Sequence, residues 1–371
     1  AQIPPTYSDV DYVGDGDEKH FLDIYIPDSL TEPAPILMWI HGGAFFSGSK
    51  GGAYRRCDLL YHNGYIIADI NYRLSTDTLF PAQIYDCKAA IRFLKANAEE
   101  YMIDTTRFAV GGSSAGGHLA VFVGTTNGVD SLENLDLGNS HVSSDIHAVC
   151  DFYGSVDFLT MNGHYPDTPP DSCESYPDHE SPTSPASMLL GCPILECPNR
   201  AVYANPLSYL DSSDVPHIVF HGTFDCTVPP YQSVLLDSAL SEYGIDHELY
   251  LIDHAGHGSM PEFDWPIQKH RMKDFLDRVF SDESIEEINN CHSTISAYPN
   301  PFNSKLEIVF ENPIKQVEIY DITGKMIFSE ILNHQQNFIW EPSPNTKSGL
   351  YFIKAHLWVD SVYIFRAFYI K

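Results

Sequence analysis

The sequence predicts an α/β fold: a mostly parallel twisted sheet with helices on both faces, followed by a small all-β sandwich. Three observations lead there. Short, near-continuous apolar runs alternate with segments whose apolar residues recur every three or four positions, the mark of buried strands alternating with amphipathic helices. The last part of the chain drops the helical period and keeps only period-two alternation. Charge divides at the same place. Residues 293–371 hold seven basic and seven acidic side chains, so the whole net charge of −29 falls on the preceding residues. The expected organisation is a body over 1–281, a polar acidic linker over 282–292 and an Ig-like β-sandwich over 293–371.

In chain order, "KHFLDIYIPD" (19–28) alternates as a strand does. "PILMWIHGG" (35–43) and "YIIADINY" (65–72) are near-continuous apolar runs, as strands buried on both faces are. In "PAQIYDCKAAIRFLKANAEEY" (81–101), Ile84, Cys87, Ile91, Leu94 and Ala98 share one helix face, and Pro81 suits a first turn. "RFAVGG" (107–112) is a strand and "AGGHLAVFVG" (115–124) a helix. "IHAVCDFYG" (146–154), "HIVFHG" (217–222) and "HELYLID" (247–253) are further strands. "YQSVLLDSALSEYG" (231–244) and "IQKHRMKDFLDRVF" (267–280) are helices. Residues 155–212 are rich in Pro, Ser, Asp and Tyr without a period, which reads as a lid-like insert. Its acids Asp167, Asp171, Glu174, Asp178 and Glu180 read as a solvated loop, because calcium-loop spacing is absent. In the tail, Leu306, Ile308 and Phe310 alternate, then Val317 and Ile319; "DITGK" is a hairpin-type turn, and "GLYFIKA" and "SVYIFRAFYIK" are further strands. Trp340, Tyr351, Trp358 and Tyr363 read as sandwich core rather than as sugar-stacking residues.

Composition excludes several function classes. No apolar run is long enough to span a membrane. An acidic body argues against nucleic acid as a partner and favours a neutral substrate. The start at Ala1-Gln2 reads as a mature end left by leader removal. In an exported chain the eight cysteines permit disulfides, with Cys173, Cys192 and Cys197 in the stretch where a staple helps most. Cys87, on a helix face, reads equally as a buried free thiol. No Cys/His spacing calls for a metal, and the chemistry below needs no cofactor.

That chemistry starts at "GGSSAGGH" (111–118). A strand turning sharply into a helix strains its apex residue and exposes that side chain, and the residues two away on each side must be small. Gly112 and Gly116 flank Ser114 in this way; centring on Ser113 would leave Ala115 in the tight position. A serine needs a base. "LIDHAGHG" offers His254 and His257, and glycines on both sides of His257 favour it. The carboxylate that orients the imidazole is Asp225 in "HGTFDCTVP", with Asp253 as its rival. The order Ser114, Asp225, His257 is nucleophile, acid, base. "HGGAFFSG" supplies oxyanion donors, the N–H groups of Gly43 and Ala44, with that of Ala115 as a third. Phe45 and Phe46 are candidates for the substrate pocket.

At these residues the chain resembles α/β-hydrolase esterases, near the hormone-sensitive-lipase type and the bifunctional acetylxylan/feruloyl esterases. "HGGAFFSGS", "NYRLS", "FPAQIYDCKAAIRFLKANAEEY", "GGSSAGGHLA", "HGTFDCTVP" and "AGHG" carry the resemblance over about residues 19–280. Ala44 departs from the third glycine of the usual H-G-G-G. Arg73 and Asp86 have structural roles in that resemblance. The tail is similar to the C-terminal sorting domains of type IX secretion through "YPNPFN" (298–303), "VEIYDITGKMI" (317–327) and "SGLYFIKA" (348–355). The resemblances imply a secreted or surface-attached bacterial serine esterase whose partners are an ester substrate, acetyl or feruloyl on plant polysaccharide or a short-chain ester, and the type IX machinery. The alternatives are a serine peptidase of the prolyl-oligopeptidase type, which no preceding propeller supports, and a surface binding protein on an inactive hydrolase scaffold.

Overall fold

The computed structural model describes residues 3–165, 170, 173–259, 261–281, 296–298, 304–321, 326–343, 346, 349–357 and 362–369. The chain divides into two compact units, Ala1–Ser281 and Asp282–Lys371.

The first unit is built on an eight-stranded sheet. Its strands are β1 (Tyr7–Asp11), β2 (Phe21–Tyr25), β3 (Ala34–Ile40), β4 (Ile66–Ile70), β5 (Ile103–Ser113), β6 (Ala148–Phe152), β7 (His217–Gly222) and β8 (His247–Ile252). Their spatial order is β1-β2-β4-β3-β5-β6-β7-β8, antiparallel through β1, β2 and β4 and parallel from β4 onward. Among the described residues, seven α-helices accompany it: α1 (Ala53–His62), α2 (Ala82–Ala96), α3 (Ala115–Gly124), α4 (Pro185–Leu190), α5 (Pro198–Tyr203), α6 (Tyr231–Glu242) and α7 (Trp265–Phe280). Side chains alternate across the strands, so each strand feeds two cores. Ile36, Met38 and Ile40 of β3 pack with Ile84, Ile91 and Leu94 of α2, Leu119 and Phe122 of α3 and Leu236 of α6. Leu37 and Trp39 face the other way, onto Cys57 and Leu60 of α1 and Met272, Phe275 and Leu276 of α7. This two-sided burial is why the strands read as unbroken apolar runs.

Strand β1 and helix α1 were not anticipated. Helix α1 follows a glycine-rich loop and mixes Arg55, Arg56 and Asp58 among its buried residues, which hides its period. The insert also holds two short helices, α4 and α5, each of six residues. Six residues are too few to show a helical period. They start instead from local signals: the Ser184 side chain accepts from the N–H of Ser187, and Pro185 and Pro198 occupy first turns.

Two disulfides form, Cys173–Cys226 and Cys192–Cys197. Cys57, Cys87 and Cys150 are buried free thiols, and Cys291 lies outside the described residues. Half-buried Arg73 braces the buried Asp86: it donates to Asp86 through its backbone N–H at 2.8 Å and through Nε and Nη2.

The second unit is antiparallel, with β9 (Ser296–Tyr298), β10 (Leu306–Asp321), β11 (Met326–Trp340), β12 (Gly349–Leu357) and β13 (Val362–Tyr369). Strand β10 pairs with β11 along most of its length, with β9 near its start and with β12 near its end. Leu306, Ile308, Phe310, Val317, Ile319 and Ile353 form its core. Trp340 and Tyr351 are buried in that core, with ring centroids 5.0 Å apart. The expected linker 282–292, the "DITGK" turn after Asp321, Trp358, the side chain of Tyr363, Asp167 and Asp171 lie outside what is described.

Candidate active site

The sheet reverses its winding between β3 and its neighbours: β4 lies on one side of β3 and β5 on the other. A crevice opens at such a point, outside the carboxyl ends of the strands. The loops after β3, β5, β7 and β8 leave from that edge and carry Gly43–Ala44, Ser114, Asp225 and His257 respectively.

Ser114 stands between β5 and α3 with φ 58° and ψ −120°, outside the usual basins of an L-residue. Every residue from Phe108 to Thr126 is buried except Ser114. Its N–H donates to the Phe152 carbonyl at 2.8 Å, and its carbonyl accepts from the His118 N–H at 3.0 Å. The flanking glycines are required. A Cβ on Gly116 would stand 2.1 Å from the Ile40 carbonyl oxygen, and one on Gly112 would stand 2.2 Å from the Gly116 carbonyl oxygen. Ser113, by contrast, is the buried last residue of β5 and bonds the Tyr153 hydroxyl.

Asp225 follows β7 and is 2% exposed. Its Oδ1 accepts from the N–H groups of Thr227 at 2.7 Å and Val228 at 3.0 Å. Its Oδ2 lies 2.6 Å from Nδ1 of His257 and 3.2 Å from Nε2 of His221. Burial alone would raise the carboxyl pKa. The charge of the His257 ring, the hydrogen bonds with His221 and His257 and the charge of His221 together outweigh it, and the pKa is held well below the usual carboxylate range. The rivals pair elsewhere: His254 Nδ1 lies 2.9 Å from Asp253 Oδ2, and both side chains are exposed.

The loop after β3 presses on the serine turn. A side chain at Gly42 would lie 2.6 Å from the Ser113 carbonyl oxygen and 3.2 Å from the Ser114 Cβ. Gly43 has φ 129°, and Ala44 and Phe45 hold φ of 55° and 66°. A left-handed non-glycine residue costs about 1–3 kcal/mol. Ser75 holds this conformation by donating its N–H to the Phe45 carbonyl at 2.8 Å. Among the described residues, the N–H groups of Gly43 and Ala44 donate to no protein acceptor. His41, at the start of the loop, stacks on Tyr72, and burial pushes its pKa down to about 4, so it stays neutral there.

A cleft beside Ser114 is lined by Ala44, Phe45, Ala115, Phe158, Met161 and Val228 among others, and its volume is about 60 Å³. Phe46 is not part of this wall. Its N–H donates to the Gly43 carbonyl in a tight turn, and its side chain is 38% exposed. The insert contributes instead, through Ser155, Phe158, Met161, His179, Pro185 and Ala186. It is fastened to the acid loop in two ways: the Cys173–Cys226 disulfide attaches beside Asp225, and the Tyr165 hydroxyl donates to the Thr227 carbonyl at 2.9 Å.

Sequence reasoning missed two neighbours of the triad candidates. His221 sits in the same "HGTFDC" stretch as Asp225, four residues before it, and was open to recognition as a second imidazole on the acid. Tyr153, at φ 48°, places its ring 4.5 Å from that of His257, and nothing local in "DFYG" announces that contact.

Known proteins are similar over the same region. Residues 22–240 match the BD-FAE family, and residues 296–357 match the secretion system C-terminal sorting domain. A probable carboxylic ester hydrolase, LipM, of Mycobacterium tuberculosis is 33% identical over 243 residues, 60% of this chain and 51% of its own length. The esterase LipQ of the same organism is 28% identical, over 64% of this chain and 53% of its own. This chain therefore spans about half the length of the curated relatives it matches. Among solved structures, a bifunctional GH43-CE protein of Bacteroides eggerthii superposes with TM-score 0.66 at 32% identity, covering 74% of this chain and 38% of its own. A truncated carbohydrate esterase from gut microbiota superposes with TM-score 0.64 at 28% identity, covering 75% of this chain and 99% of its own. With more than half of its residues inside the match, the chain belongs to the BD-FAE family of α/β-hydrolase esterase domains.

Proposed function

We propose that this protein is an exported serine carboxylic-ester hydrolase that removes short acyl groups, acetyl above all, from polysaccharide. The observation that carries the reading is the 2.6 Å contact between His257 Nδ1 and the buried Asp225 carboxylate, on the sheet edge where the strained, half-buried Ser114 stands. In the mechanism, the Asp225 carboxylate accepts a hydrogen bond from Nδ1–H of His257, which leaves the unprotonated Nε2 free as the base. Ser114 Oγ attacks the ester carbonyl as His257 takes its proton. The N–H groups of Gly43, Ala44 and Ala115 receive the negative charge that develops on the carbonyl oxygen. The alcohol leaves with the proton from His257, and water attacks the acyl-enzyme by the same path. One such amide donor contributes about 2.7–4 kcal/mol to the transition state.

The size of the cleft favours a small acyl group. A water needs roughly 10–15 Å³ measured in this way, so the space of about 60 Å³ beside Ser114 suits an acyl group of a few heavy atoms. The carbohydrate-esterase neighbours support a saccharide as the alcohol. The sorting-domain match supports export by type IX secretion, to the medium or the cell surface.

The test is a panel of acetylated xylan, methyl ferulate, p-nitrophenyl esters of rising chain length and a peptide anilide. Acetyl esters are cleaved fastest, and Ser114→Ala abolishes the activity. Cleavage of the anilide alone, or full activity in Ser114→Ala, defeats the proposal.

A further inference from the structure

A second cleft, of about 350 Å³, is lined by Arg55, Arg56, Gly258, Trp265 and Lys269 and shares no lining residue with the first. Its charge runs against that of its surroundings. In the first unit acidic side chains outnumber basic ones about threefold, and Arg73, Arg92, Arg107 and Arg278 each close on a carboxylate. Lys269 pairs with Asp58 at 2.7 Å. Arg55 and Arg56 close on no carboxylate among the described residues.

Arg56 is also held in place. Its guanidinium carbon lies 4.1 Å from the centroid of the Trp265 ring, and its Nη1 donates to the Tyr153 hydroxyl at 3.2 Å. Trp265 is fixed in turn: its Nε1 donates to the Gly258 carbonyl at 3.1 Å, and its ring stacks on Phe152. A guanidinium is planar, and one held by these two contacts presents its remaining N–H groups as a fork, the geometry that receives a carboxylate.

The cleft adjoins the base. Gly258 directly follows His257, and Tyr153 touches both Arg56 and the His257 ring. A base that returns its proton to the leaving oxygen stands beside the alcohol half of the ester. We propose that this cleft receives a carboxylate-bearing sugar, a uronate, on the alcohol side of the scissile ester. The inference rests on the ester-hydrolase reading above and adds the substrate's alcohol half to it. The overall charge narrows the ligand further. A body with a net charge of −25 repels a polyanion, whereas a mostly neutral saccharide with isolated carboxylates approaches without that penalty.

The experiment uses the full chain and two acetylated xylo-oligosaccharides, one with and one without a glucuronate branch next to the acetylated sugar. Wild type prefers the acidic substrate in kcat/KM, and added salt weakens the preference. Arg56→Gln lowers the acidic-to-neutral ratio by about fivefold, the order of one solvent-accessible ion pair. Arg55, which is exposed, gives a second variant, Arg55→Gln, should Arg56→Gln fail to fold. An acidic-to-neutral ratio of one in wild type, or a ratio unchanged in a folded variant, overturns the proposal while leaving ester hydrolysis intact. Loss of both substrates in wild type overturns the ester reading and this one with it. Binding of the acidic oligosaccharide to Ser114→Ala, followed by calorimetry, reads the cleft without turnover. Displacement by glucuronate but not by inorganic phosphate is expected there; equal displacement by phosphate overturns the sugar assignment.

Discussion

Replacing Asp225 by asparagine changes one atom and reverses the logic of the hydrogen bonds around it. Oδ1 of Asp225 accepts from two backbone N–H groups, at 2.7 and 3.0 Å, while Oδ2 faces two imidazoles. An asparagine carbonyl in the Oδ1 position keeps both backbone bonds, so the turn after β7 is retained. Its amide then occupies the Oδ2 position and donates. Nδ1 of His257 must become the acceptor, the ring proton moves to Nε2, and the nitrogen needed to deprotonate Ser114 is blocked. For this change of tautomer kcat falls on the order of 10⁴-fold, which is about 5.4 kcal/mol at 1.36 kcal/mol per factor of ten. Binding contacts are untouched, so KM moves little. The assay is p-nitrophenyl acetate hydrolysis by Asp225→Asn beside wild type, with thermal melting as the control for folding. A folded variant within tenfold of wild-type kcat would refute the assignment of Asp225. Because the carboxyl pKa is held below the usual range, Asp225 stays ionised at any pH used in such an assay. Its stabilisation is present above about pH 4 and is lost only as the pH falls through the lowered value.

Gly116→Ala forces a Cβ to 2.1 Å from the Ile40 carbonyl oxygen; we expect a loss of about 1–3 kcal/mol or more, read as a lower urea midpoint, and an unchanged midpoint would contradict the packing described. Cys173→Ser opens the bridge of sequence separation 53 that ties the insert to the residue after Asp225. The chain-entropy relation gives about 4 kcal/mol for such a loop, so the variant, like wild type under reductant, melts earlier. His118, fully buried and stacked on Phe158, has its pKa lowered by burial to about 4. The unfolded chain therefore binds the proton first. The neutral ring's contribution is complete above about pH 6.5 and drains away as the pH falls toward 4, by up to roughly 3 kcal/mol. The destabilisation caused by His118→Asn accordingly shrinks over that window in urea titrations at stepped pH; a constant difference would show that the ring is not held neutral.

The parts of this site that could be read in the sequence are those set by local backbone geometry. Ser114 is legible because its turn needs Gly112 and Gly116, whose absent Cβ atoms leave the room that the Ile40 and Gly116 carbonyls occupy. Asp225 and His257 are legible because each closely follows a strand, and His257 stands between two glycines. Phe45 and Phe46 show where such reading stops. They are neighbours in sequence, yet one turn buries the first and exposes the second.

By itself the sequence determined the alternation of strands and helices, the break before the tail and the three side chains proposed for the chemistry. Each of these is imposed by contacts close along the chain or by a requirement for small residues at one turn. Only the tertiary structure decided which walls surround them. The insert residues that narrow the first cleft, the Cys173–Cys226 bridge and the Arg56–Tyr153–Trp265 cluster beside His257 join segments far apart in the chain. No local pattern encodes such meetings, because they exist only once the sheet has brought its loops to one edge.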